Sequence, residues 1–302
     1  MGARVFSPPP ASRAVGWIVD AGSDFPESVR GTITSWDTGV YLRPRDALTT
    51  RGWNGYGEND HRGFKYLTEK KRLNAADLTA ELLGAKSFHL ICSPIRCAEM
   101  VAELLDRRRE TYGSDFARPT IIWEPVPDLC VAAEHDNTLA ALSSVDVISP
   151  NHEELGALFS FAHPTTHLSK SAIEEQASGL LNHGIGPAGR GAVVVRAGKE
   201  GCYICSHGVK AWLPAYHLSA KSVIDPTGGG NGFLGGFAVG LVRNDWDILE
   251  AARWGGVAAS LCIEQVGVPT LAGEDGEDRE RETWNGINVR DRLASYRLRT
   301  TT

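Results

Sequence analysis

The sequence predicts an α/β protein built on a mostly parallel sheet with helices on both faces. Three observations lead there. Short apolar runs such as Thr120-Ile-Ile-Trp123 and Ala192-Val-Val-Val195 have the composition of strands buried on both sides. Longer amphipathic stretches alternate with them, which makes strand–helix–strand units. Glycine is also concentrated: of 33 glycines in 302 residues, seven lie between Gly228 and Gly240, where an apolar run hands over to a helix.

Along the chain, Ala14 to Val19 is a buried-strand run closed by Asp20 and Gly22. Thr32 to Leu42 alternates polar and apolar, the pattern of a half-exposed antiparallel strand. Thr49 to Tyr66, rich in Gly, Asn and aromatics, predicts an irregular lobe. Its Trp53, Tyr56, Phe64 and Tyr66 suit either a small core of the lobe or a substrate surface. Leu78 to Leu83 is a short helix, Ser87 to Cys92 a strand, and Cys97 to Arg109 an amphipathic helix. The helix ends in Arg107-Arg-Arg109, placed at the surface where cations favour the dipole. A strand then ends at Glu124-Pro125. Helices follow at Ala132–Ser143 and Glu153–Phe161 around a strand at Val145–Ile148. Lys170 to Leu181 is a helix, Ala192 to Val195 a strand, and Tyr203-Ile204 with Val209–Leu213 a hairpin. Val223-Ile224 enters the glycine cluster as a strand, an apolar helix leaves it, and Trp246–Ile263 is helical. The charged run Glu274 to Glu282 is a solvated loop.

Composition excludes several classes. With 42% hydrophobic and 23% charged residues the chain is globular rather than disordered. At this length no disulfide framework is needed. Thirty-one basic against 37 acidic residues, a net charge of −6, argues against a nucleic-acid partner. No run of about 18 apolar residues would span a membrane. The N-terminal M-G-A-R-V-F-S-P-P-P has no apolar signal core, and Phe6 spoils a myristoylation motif. Six sparse cysteines fit a reducing, cytoplasmic setting. Cys202 and Cys205 form a C-x-x-C on a strand, where positions three apart face opposite ways and cannot share a metal.

The stretch Asp225-Pro-Thr-Gly228-Gly229-Gly230-Asn231-Gly is the most informative. Glycines let the backbone turn with φ > 0 and let a ligand approach the amides, and the following helix adds unpaired N–H groups and partial positive charge. That makes an anion site of the phosphate-binding kind. A tight turn into a closely packed helix is the plainer alternative. Neither the Walker A nor the G-x-G-x-x-G pattern is present. Asn151 and Glu154, three residues apart at a helix start, have the spacing of a capping box.

Taken together these stretches resemble the pfkB, or ribokinase-like, family of carbohydrate and nucleoside kinases, in the spelling of a fungal branch. The glycine stretch is similar to the family's D-[TS]-x-G-A-G-D signature. Val15 to Asp24 resembles its V-G-x-V-G-x-D segment, Asn151 to Glu154 its N-x-x-E motif, and Val193 to Gly201 its V-T-x-G-x-x-G strand and loop. Ala251 to Pro269 resembles its small-residue helix and G-x-x-x-P tail. The motifs run in register over residues 14 to 270. The resemblance implies a single three-layer αβα sandwich over residues 1–302, with a small antiparallel β lid at about 31–68 and a tail at 271–302. It implies ATP across the C-terminal half of the sheet, lined by Arg196, Gly198, Gly201 and Thr227. Amides of Gly228, Gly229 and Gly230 would stabilise the transferred phosphoryl group. Asn151 and Glu154 would help hold Mg²⁺, through water. The acceptor would be a hydroxyl of a sugar- or nucleoside-like metabolite, and dimerisation would run through the lid.

Two departures stand out. Asn231 occupies the family's base position, where an aspartate takes the acceptor proton; a carboxamide cannot. Asp225, six residues before it, is a candidate substitute base. The family's opening strand, G-G loop and helix also have no counterpart ahead of Gly2-Ala-Arg-Val5, as expected if Met1 is a late start. Two functions therefore compete: an ATP- and Mg²⁺-dependent phosphotransferase, and a catalytically impaired pseudokinase that binds nucleotide and acts through partners.

Overall fold

The computed structural model describes residues 1–56, 62–159, 169–273 and 282–301. A short helix α1 (Gly2–Val5) leads to strand β1 (Gly16–Ala21), helix α2 (Glu27–Ser35) and strand β2 (Gly39–Pro44). Strands β1 and β2 pair in parallel, Gly16 opposite Gly39 and Ala21 opposite Pro44. The expected antiparallel strand over Thr32–Leu42 is therefore corrected: its first part is helix and its second part is parallel. Val29, Ile33 and Trp36 recur at helical spacing and outweigh the local alternation; Ile33 and Trp36 are buried. A connection of this kind, strand–helix–strand, is what joins parallel neighbours.

The lobe that follows is more regular than its composition suggests. Strands β3 (Gly52–Tyr56) and β4 (Arg62–Tyr66) form an antiparallel hairpin. Trp53, Phe64 and Tyr66 are exposed on it, so they do not form a core of its own. Tyr56 lies outside the side chains described.

Helix α3 (Ala80–Leu83) precedes the main sheet. Its elements are β5 (Ser87–Cys92), α4 (Pro94–Tyr112), β6 (Thr120–Pro125), α5 (His135–Ala141), β7 (Val147–Ile148), α6 (His152–Phe159), α7 (Lys170–His183), β8 (Ala192–Arg196), β9 (Cys202–Ser206) and β10 (Lys210–Leu213). The strand order across the sheet is β10-β9-β8-β7-β6-β5. β5 to β8 are parallel, while β9 and β10 add an antiparallel hairpin edge. The helix expected over Glu153–Phe161 ends at Phe159 within the described residues, and most of the Glu274–Glu282 run lies outside them.

Alternate residues of each strand enter different cores. Ile121, Trp123, Val193, Val195, Tyr203 and Cys205 pack under α4, α6 and α7. Ile122, Val147, Val194, Cys202 and Ile204 pack under α8 (Gly229–Arg243) and α9 (Ile248–Cys262). The result is three layers. Cys202 and Cys205 fall in opposite layers, as their spacing requires, and all six cysteines are unpaired. Of the arginine run, Arg109 is exposed as expected and Arg108 is not. Arg108 is buried, donating to the carbonyls of Leu83, Ala85 and Ala117. Its charge satisfies the chain ends around β5 rather than a surface.

α8 and α9 approach closely because α8 carries a glycine on every turn of one side. A Cβ on Gly232 would collide with Cys262 Sγ, one on Gly236 would stand 2.7 Å from Ala258 Cβ, and one on Gly240 would stand 3.0 Å from Trp254 Cβ. Strands β11 (Leu271–Ala272) and β12 (Thr283–Trp284) then lead to α10 (Val289–Thr300). α10 and α9 share a core with Val5, Trp36 and Trp284. No helix among the described residues is long and apolar enough to cross a membrane.

Glu264, just beyond α9, ties this end together. It accepts from Arg292 at 2.6 Å and from Asn285 at 3.2 Å, and lies 3.0 Å from His217 Nε2. Burial would raise its pKa, but the His217 and Arg292 contacts prevail and lower it to about 2. A depressed carboxylate stabilises the fold above its unfolded pKa and loses that contribution as pH falls through the folded value. Glu264→Gln is therefore expected to cost about 2–3 kcal/mol at pH 7. The difference from wild type in urea unfolding should shrink from pH 4.5 towards pH 2.

Candidate functional site

The glycine cluster forms the N-terminus of α8. Gly228 is its N-cap with φ +84°, a left-handed conformation that favours glycine, and no side chain caps the helix. Gly229 N donates to Pro226 O at 3.1 Å, and Gly232 N makes the first helical bond, to Gly228 O at 2.8 Å. The amides of Gly230 and Asn231 are left without an intrahelical acceptor. The stretch before the loop is not the expected strand. Ile224 and Asp225 both donate to Ile263 O, so the segment is held by the end of α9 instead of by a sheet neighbour.

A charged cluster faces this terminus from the C-terminal ends of the parallel strands. Arg196 ends β8, and Asn151 pairs with it as an isolated parallel bridge beyond β7. The Arg196 guanidinium contacts Glu124 Oε1 at 2.9 Å, Glu154 Oε2 at 3.4 Å and the Ser149 carbonyl at 3.0 Å. Its Nε is buried without a hydrogen-bond partner among the described residues. His89 Nε2 lies 2.9 Å from the other oxygen of Glu124. Burial alone would raise the Glu124 pKa. The His89 hydrogen bond and the Arg196 charge outweigh it and hold this carboxyl below the usual range. A Cβ on Gly230 would collide with Arg196 Nη1 and stand 3.9 Å from Glu124 Oε1. Loop and cluster therefore touch, and two positive poles, a guanidinium and a helix N-terminus, converge between buried carboxylates.

Asn151 and Glu154 cap α6. Asn151 Oδ1 accepts from Glu154 N at 2.8 Å, while Glu154 accepts from Asn151 N at 2.7 Å and from Asn151 Nδ2 at 2.8 Å. This is a reciprocal capping box, with Arg196 as a further partner of Glu154. Among the described residues no group of three or more His, Cys, Asp or Glu converges on a metal position. With one carboxylate and one carboxamide, a Mg²⁺ at this pair would keep most of its water shell.

The structure brings together Gly228, Gly229, Gly230, Arg196, Asn151 and Glu154. Gly198 (φ +53°) and Gly201 (φ +90°) shape the turn between β8 and β9, close to Arg196 in sequence. Asp225 accepts from Thr227 N at 2.9 Å, and the Thr227 hydrogen bonds hold its carboxyl below the usual range. That Asx turn shapes the loop. Asn231 is exposed on the first turn of α8. Sequence reasoning missed His89 and Glu124 as site residues. A charged residue at the end of the apolar run Thr120-Ile-Ile-Trp123 was the available signal, because a buried carboxylate needs partners. A cleft of about 320 Å³, lined in part by Gly22, Arg30, Arg43 and Arg45, lies at the ends of β1 and β2 and shares no residue with this cluster.

Residues 124–272 match the model of the pfkB family carbohydrate kinases. The chain is 37% identical over 305 residues to Protein MAK32 of Saccharomyces cerevisiae, covering 94% of this chain and 79% of that protein. Its fold resembles a ribokinase from Giardia lamblia with a TM-score of 0.69 at 16% identity, over 99% of this chain and 87% of that one. It also resembles an E. coli ribokinase II structure in complex with ATP and Mg²⁺, with a TM-score of 0.63 at 17% identity, over 99% and 85% of the two chains.

Removing Glu124 would leave Arg196 and His89 facing each other in a buried site. Glu124→Ala is expected to destabilise by about 3 kcal/mol at pH 7, and Glu124→Gln by less, measured by chemical denaturation.

Proposed function

The chain belongs to the pfkB family of carbohydrate kinases, and from that premise we propose that it binds a nucleoside triphosphate at the N-terminus of α8 and transfers the terminal phosphoryl group to a hydroxyl of a small metabolite. The observation that carries this reading is the contact between the Gly228-capped amides and the Arg196 cluster. A phosphate placed there meets backbone donors from Gly230 and Asn231 and a guanidinium within one turn of helix. In the transfer the acceptor oxygen attacks the γ-phosphorus, the bond from that phosphorus to the β,γ-bridging oxygen breaks and the nucleoside diphosphate leaves, and the hydroxyl proton passes to solvent water, since Asn231 cannot take it. Charge spreading over the transferred group is what fixed donors stabilise best. Arg196 would bind and orient the phosphates, with Glu154 holding its guanidinium in place; the turn of Gly198 and Gly201 and the Asp225–Thr227 turn would shape the nucleotide's approach.

Asn231 favours a second reading. It stands at the position assigned to the base, is exposed, and cannot take a proton. Asp225 is held in a turn of its own. Without a base the site binds nucleotide and turns over slowly or not at all, and the protein then acts through partners.

Thermal-shift titration with ATP and a phosphoryl-transfer screen over sugars and nucleosides test both readings. Wild type is expected to bind ATP and transfer slowly, and Asn231→Asp to raise transfer by about 10²-fold or more. Binding without transfer in either protein would leave the binding reading. Absence of binding would remove both.

A further inference from the structure

The cleft at the ends of β1 and β2 is lined by three arginines, Arg30, Arg43 and Arg45, and, among the described residues, by no carboxylate. We infer that it is an anion site that takes a phosphate dianion, free or carried by a small metabolite. The inference is independent of the nucleotide reading, because none of the lining residues belongs to the α8 terminus or to the Arg196 cluster.

Charge pairing around the cleft carries it. Asp20 accepts from Arg43 Nε at 2.5 Å and from Lys71 at 3.1 Å. Asp77 accepts from Arg43 Nη2 at 2.7 Å, and Asp24 meets Arg51 at 2.6 Å. Asp20, Asp24 and Asp77 are thus matched by Arg43, Lys71 and Arg51, and Arg30 and Arg45 are left over. The Arg45 side chain is only 9% exposed, yet its ion-pair partner, Glu69, stands 3.9 Å away and is 88% exposed. Asp46, next to it in the chain, is exposed and does not line the cleft. Arg30 meets Glu27 at 3.3 Å within one turn of α2, and Glu27 is 87% exposed. Ion pairs so open to water contribute little and are screened by salt. A buried cation without a buried counter-charge is costly, and an anion in the cleft supplies that charge. Two excess cations match a phosphate dianion, whereas a carboxylate would answer only one of them.

The cleft is also firmly built. Gly22 N donates to Thr49 Oγ1 at 3.0 Å, Ser23 N to the Ala47 carbonyl at 3.2 Å, and Arg45 N to the Ala21 carbonyl at 2.8 Å. A Cβ on Gly22 would collide with Thr49 N and Ala47 O, so this segment sits directly on the end of β1. Arg45 Nη1 donates to Thr50 Oγ1 at 2.7 Å and Nη2 to the Glu69 carbonyl at 3.0 Å. Those two residues flank the β3–β4 hairpin, and both ends of it fix the guanidinium. Arg30 rests on the Phe25 ring, 5.4 Å from its centroid. A guanidinium carries five N–H donors in a rigid fork, so both arginines keep donors for an oxyanion beyond the bonds they already make. The volume of about 320 Å³ lies at the lower end of small-ligand sites, roughly 300–1,000 Å³, with room for a phosphate and a few carbon atoms.

The test is calorimetry on the full chain in phosphate-free buffer, with glycerol 3-phosphate, inorganic phosphate and acetate as probes. Wild type is expected to bind glycerol 3-phosphate saturably and acetate at least about tenfold more weakly. Arg30→Gln and Arg45→Gln should each weaken phosphate binding by about tenfold or more. Arg30 takes no part in holding the hairpin, so its variant keeps the test independent of whether Arg45→Gln folds. Equal affinity for the two phosphates would assign the site to the free ion, and tighter binding of the monoester to a phosphorylated metabolite. No saturable binding of either phosphate, unchanged binding by Arg30→Gln, or acetate bound as tightly as phosphate would each overturn the inference and leave the nucleotide reading untouched.

Discussion

The glycine side of α8 is the constraint on which the rest depends. Gly232, Gly236 and Gly240 allow α9 to approach until Cys262, Ala258 and Trp254 fill the space that side chains would take. A helix seated that closely cannot shift along its axis without collisions, because close-packed interiors have little free volume. Its N-terminus is thereby fixed over the ends of β6 and β8. Only then can Gly230 lie against Arg196. Packing in the hydrophobic layer sets the position of amides in the polar site.

That position would be electrostatically unfavourable by itself. A guanidinium beside a helix N-terminus places like charge against like. Glu124 and Glu154 offset it, and His89 and the α6 cap hold those carboxylates in place. Each buried ion is paired, which is the condition under which buried charge is tolerated. The balance is local. In the proposed site these groups stand already assembled, the electrostatic preorganisation on which phosphoryl transfer mainly relies.

Much of the architecture was legible in the sequence because its signals are local. The strand at Ser87–Cys92 and the helix over Lys170–Leu181 follow from apolar period alone, and β8 from an unbroken run of valines. The segment over Thr32–Leu42 was misread because its alternation is also compatible with Val29, Ile33 and Trp36 on one helix face, and only the partner of that face decides. Val223-Ile224 read as a strand because β-branched residues are equally at home in an extended segment pinned by Ile263. The glycine loop and the Asn151–Glu154 cap were visible as motifs. Glu124, His89 and Arg108 were not, because their roles come from strands and turns far away in sequence. Periodicity reports which way a residue faces and is silent on what charge it meets there.

In the proposed reaction, anion binding and proton removal would rest on different parts of this molecule. The first is built from backbone amides, a buried ion-paired arginine and the packing of two helices, all of which must form for the chain to fold. The second would fall to a single exposed position on the first turn of α8, which Asn231 occupies. A change there leaves the core, the cap and the ion pairs as they are. The fold can therefore carry a nucleotide site whether or not it carries a base. Phosphoryl transfer makes the separation tolerable: its loose transition state develops little demand for proton removal until late, and most of its stabilisation comes from the donors that hold the phosphate. Loss of the base lowers the rate while the binding energy that places the phosphate is retained.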